Sequence, residues 1–141
     1  MSLSDEERYA LVEYRIEKAQ ATLEQAKSVI PLGYWEMTAN RLYYAVYYAV
    51  SALLLQHGYS VQTHNGIVQM FNMHFVKTGK VDKHYGTLYS QLFALRQTGD
   101  YGDLLGLTAE QVMPLVPQAD DFVAIMTAMV KSENSTLEAS I

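Results

Sequence analysis

Apolar residues recur along this chain at the spacing of helices. In residues 5–30 they fall at Tyr9, Val12, Ile16, Ala19, Leu23, Ala26 and Ile30, in alternating steps of three and four that make one stripe. Ser4 and Glu7 stand at capping-box spacing before it, and Pro31-Leu-Gly33 ends it. A second helix is predicted over 34–57. It is apolar almost all round from Leu42 to Leu55, which predicts neighbours on most sides and a central place, and Gly58 stops it. A third, short helix is expected over 64–76, with Thr63 as N-cap and Ile67, Met70, Phe71 and Phe75 facing inward. The fourth, over 82–101, repeats Tyr85, Leu88, Leu92 and Leu95. The fifth begins near Thr108, where Thr108 and Gln111 form a capping box and Leu107 with Val112 a hydrophobic staple. Pro114 and Pro117 should kink or restart it before Val116, Ala119, Val123, Met126 and Val130 continue the stripe.

No segment alternates with period two, so no sheet is expected. The pattern implies an all-α fold, an antiparallel up-and-down helical bundle of four long helices plus one short helix. It spans residues 1–131, and the polar segment 132–141 reads as a disordered tail.

Composition narrows the chemistry. With 141 residues, half of them hydrophobic, the chain suits one domain with a substantial core. It has no cysteine, and its histidines lack zinc-helix spacing, so neither a metal site nor a cofactor is implied. No apolar run is long enough for a membrane span, and the acidic start lacks a signal peptide's features, so a cytoplasmic protein is expected. The net charge of -5 argues against a general nucleic-acid binder but permits a focused basic site.

Against that background the arginines and tyrosines stand out. There are four arginines and eleven tyrosines, and Arg41-Leu-Tyr-Tyr-Ala-Val-Tyr-Tyr48 concentrates both. Arg41 lies in the most hydrophobic helix, with Tyr44 and Tyr48 on its face. A guanidinium beside phenols suits a phosphate or a stacked base; the other reading is an arginine paired with a carboxylate of another helix. Tyr43 and Tyr47 point elsewhere and read as core or interface. Arg96, Asp100 and Tyr101 close the fourth helix, either as a polar pocket or as a local ion pair with Asp100 or Asp103. His64 follows Thr63 at a helix start, where it could move protons or simply make a local hydrogen bond. Lys77-Thr-Gly-Lys80 fails as a phosphate loop, because His74 replaces the required glycine and Val81 the Ser or Thr.

Five segments in order carry a resemblance: Asn40-Arg-Leu-Tyr-Tyr-Ala-Val-Tyr-Tyr-Ala-Val50, Ala52-Leu-Leu-Leu55, Thr63-His-Asn-Gly66, Phe75-Val-Lys-Thr-Gly79 and Leu95-Arg-Gln-Thr-Gly-Asp-Tyr-Gly-Asp103. Together they resemble the small prokaryotic HEPN proteins over roughly residues 5–130. The resemblance implies a homodimer and a partner, a minimal nucleotidyltransferase encoded alongside, in toxin–antitoxin-like pairs. It also implies a metal-independent ribonuclease motif, in which histidine follows arginine after four to six residues on a late helix. Here no histidine follows Arg96, and no other arginine has one at that distance. The candidates left for catalysis are Arg96, Asp100, Tyr101 and His64. Those for binding nucleotide or RNA are Arg41, Tyr44, Tyr48, Arg96 and Tyr101.

Overall fold

The computed structural model describes the backbone of residues 3–101 and 106–140 and the side chains of 3–98 and 106–133. Helix α1 covers Asp5–Ser28, α2 Trp35–Gln56, α3 His64–Phe71, α4 Lys83–Tyr101, α5 Ala109–Val112 and α6 Leu115–Ser140. No strand occurs among the described residues.

Local signals set most boundaries. The Ser4 hydroxyl accepts from the Glu7 amide at 3.1 Å while the Glu7 carboxylate accepts from the Ser4 amide at 3.0 Å, so both halves of the capping box form. A 3-10 turn at Ile30–Leu32 and Gly33, at φ 74°, reverse the chain into α2. The second capping box, Thr108 with Gln111, opens α5 over the buried pair Leu107 and Val112. The chain then breaks at Met113-Pro114 and restarts, leaving Pro117 in the first turn of α6, where its missing amide costs no helix bond.

Pairings between helices fix the topology. Arg15 of α1 reaches Ser51 of α2 while Gln25 reaches Arg41, so the two helices run antiparallel. Leu107, just before α5, donates to Glu36 at the start of α2, and Val130 of α6 accepts from Gln56 at its end, so α2 and α6 run the same way. Helix α2 touches α1, α3, α4, α5 and α6. Its all-round apolar sequence therefore predicted its central place correctly. The core gathers Ile16, Leu42, Leu53, Phe71, Leu92 and Phe122 around it.

Two expectations are revised. The third helix does not run evenly over 64–76. After Phe71 it widens into a π turn, Asn72–Val76, closed by Lys77 N–H donating to Asn72 O at 2.8 Å. Phe71 and Phe75 are both fully buried across this turn. Helix α6 also continues past Ser132 to Ser140, through the segment read as a tail. That segment contains neither glycine nor proline, so no local signal ends the helix there.

Candidate functional site

The first half of α2 carries the polar groups of interest. Asn40, Arg41, Tyr44, Tyr47 and Tyr48 are all half-buried, within reach of solvent. The Asn40 side-chain oxygen accepts from Arg41 Nε at 3.0 Å and from one terminal nitrogen at 2.8 Å. Gln25 on α1 accepts from the other at 3.3 Å. Among the described residues Arg41 is thus held by amide oxygens, and the expected alternative of a carboxylate from another helix is not what the structure has. This leaves the guanidinium's net charge uncancelled.

Helix α4 brings Arg96 to the same place. Its guanidinium donates to the Tyr44 hydroxyl at 2.9 Å and lies 5.1 Å from the Tyr43 ring centroid. Both cations lie near the Tyr44 ring, Arg41 at 5.3 Å and Arg96 at 5.6 Å from its centroid. Contacts at these distances fall within the cation–π range.

His64 arrives from the first turn of α3, where Thr63 caps the helix by accepting from Gly66 N–H at 3.0 Å. Its ring stacks on Tyr47 at 4.6 Å, and its Nδ1 lies 2.6 Å from the Tyr43 hydroxyl. Burial, then the charge of Arg96, pulls the His64 pKa below its ordinary value. Burial also raises the Tyr43 pKa, keeping that phenol protonated. Tyr43 and Nδ1 share this one hydrogen bond, whose direction follows the His64 tautomer.

The structure thus brings Arg41, Tyr44, Arg96 and His64 into one cluster. Tyr48 adjoins it, 6.0 Å from Tyr44, but its own cation is Lys18 of α1, 4.8 Å from its ring. The side chains of Asp100 and Tyr101 lie outside the described residues. Tyr43, read from sequence as core or interface, is fully buried in the core, and with Tyr47 packed beside it forms the wall that holds His64. Lys80, in the loop after the π turn, lies over Phe75.

Comparison with known proteins decides the ancestry. A family model described as "HEPN domain" matches residues 12–129. The chain belongs to the HEPN family. A UPF0332 protein of Thermotoga maritima is 38% identical over 125 residues, covering 89% of this chain and 95% of that one. Two Methanocaldococcus jannaschii proteins named "Putative toxin" also align. One is 27% identical over 91% of each chain, the other 30% identical over 77% of this chain and 80% of its own.

Proposed function

We propose that the α2–α3–α4 cluster binds the phosphate and base of a nucleotide or short RNA, and that the chain acts in a toxin–antitoxin-type system beside a minimal nucleotidyltransferase. The observation that carries this reading is the approach of two guanidiniums, Arg41 of α2 and Arg96 of α4, to one Tyr44 ring, at 5.3 and 5.6 Å from its centroid. Guanidiniums donate to phosphate oxygens, and half-buried phenol rings keep part of their surface for contact with a base. The His64 ring, stacked on Tyr47, adds a further polar group. Family membership and the toxin-named relatives support the biological setting. Fluorescence titration with adenosine monophosphate and a short single-stranded RNA tests the binding. Saturation that weakens in Arg96→Ala supports it, and indifference to both ligands refutes it.

A second reading is a metal-independent ribonuclease in which His64 moves the proton. It is favoured by the shared neighbours of His64 and Arg96, both of which touch Tyr43 and Tyr44. The bond between Tyr43 and Nδ1 weighs against it, since it engages that ring nitrogen, and burial disfavours the imidazolium that proton uptake would form. Cleavage of total RNA by purified wild-type protein, lost in His64→Ala, would favour the ribonuclease.

A further inference from the structure

Arg15 differs from the two guanidiniums of the cluster. It projects from α1, is half-buried, and donates a long hydrogen bond, 3.3 Å, to the Ser51 carbonyl. Among the described residues no carboxylate pairs with it. Burial lowers its pKa, opposed by the nearby Tyr47 phenol. A guanidinium keeps its proton in proteins, so a cation with spare donors is held in a partly dry place.

That place is a cavity of about 190 Å³ between α1, the end of α2 and the loop that follows it. Leu54, Leu55, Val61 and Ile67 supply apolar wall, and Ser60 and Gln62 add polar groups. The loop is fixed by its own contacts. Gly58 turns it at φ 84°, a left-handed conformation that favours glycine. Tyr59 N–H donates to Leu54 O at 2.9 Å, and the Tyr59 ring stacks on His74 at 4.3 Å. Gly66 lies so close beneath that a Cβ there would come within 2.6 Å of Val61. The walls are thus set before any ligand enters, which lowers the cost of binding.

We propose that this cavity is a second binding site, for a small organic monocarboxylate with a compact apolar body. The carboxylate takes the free side of the Arg15 fork, and the hydrocarbon replaces water against the leucines. The space equals roughly six water volumes, which fits an acid of about five or six carbons. The site is independent of the nucleotide reading and stands or falls separately from it.

Methyl NMR spectra of the full chain test it, titrated with 4-methylpentanoate, with its neutral amide and with inorganic phosphate. The Val61, Ile67 and Leu54 methyls should shift saturably with the carboxylate. The amide should bind at least about tenfold more weakly, for want of the charge-assisted bonds, and phosphate should leave these methyls unmoved. Arg15→Met should abolish the response. Leu11 also lines the cavity, so Leu11→Trp, which fills it and spares the cation, should abolish the response too and serves if Arg15→Met does not fold. Absence of a saturable shift with 4-methylpentanoate overturns the proposal, as does equal binding of acid and amide, or an unchanged response in a folded variant.

Discussion

The two halves of α2 bury their side chains by different means. From Ala49 to Leu54 every residue is buried, and all but Ser51 present hydrocarbon. From Asn40 to Tyr48 the helix instead mixes apolar residues with amide, guanidinium and phenol groups, five of which stay half-buried. Hydrocarbon is held by exclusion of water, without direction, so any well-shaped neighbour serves. Guanidinium and phenol groups need partners at set distances, and here those partners come from α1, α3 and α4. One half of the helix is held by hydrocarbon almost alone, and the other adds a cluster of polar groups to the buried Leu42, Tyr43, Ala45 and Val46.

Substitutions should separate the two halves. The largest effect is expected in the hydrocarbon half. Leu53→Ala should lower unfolding free energy by about 2–5 kcal/mol in urea titration, while nucleotide affinity of the folded fraction stays as it was. A comparable loss of affinity there would dissolve the distinction. In the polar half, Arg96→Ala should weaken nucleotide binding by about 1.5–3 kcal/mol, the range for hydrogen bonds to charged groups, as read by calorimetry. Tyr44→Phe keeps the ring and removes only the acceptor of the Arg96 bond, so about 1 kcal/mol of affinity or stability should go.

The smallest effect concerns pH. The folded chain holds the His64 pKa below its ordinary value, so the unfolded chain takes up that proton first. Neutral His64 therefore contributes its full stability above about pH 6.5, and that contribution is lost as pH falls through the lowered folded value. The melting temperature of wild type should drop faster on acidification than that of His64→Gln. Parallel curves would show that His64 is not held neutral by its surroundings.

Much of the fold was legible in the sequence because helical periodicity and caps are local. Ser4 with Glu7 and Thr108 with Gln111 mark starts within four residues, and the unbroken apolar character of Leu42–Leu55 can only be satisfied at the centre of a bundle. The site was legible in part. Spacing along α2 put Arg41 and Tyr44 on one face, yet it could not say which helices face them. Tyr43 meets His64 across 21 positions, and Tyr44 meets Arg96 across 52. Such pairings depend on how helices pack, which periodicity does not encode. Tyr43 reads as core and is core, and only the packing of α3 against α2 decides that its hydroxyl reaches the polar cluster. The π turn after Phe71 left no mark at all, since its five-residue bond uses residues that would serve equally well in an ordinary helix.

Cooperation of the two arginines is tested most directly by a double-mutant cycle on nucleotide affinity, with Arg41→Ala, Arg96→Ala and the double variant measured by calorimetry against adenosine monophosphate. If both guanidiniums grip one ligand around Tyr44, each single change should weaken binding and the double change should differ from their sum by at least about 0.5 kcal/mol. Strict additivity, or affinity untouched by either change, would mean that the two cations do not share a ligand.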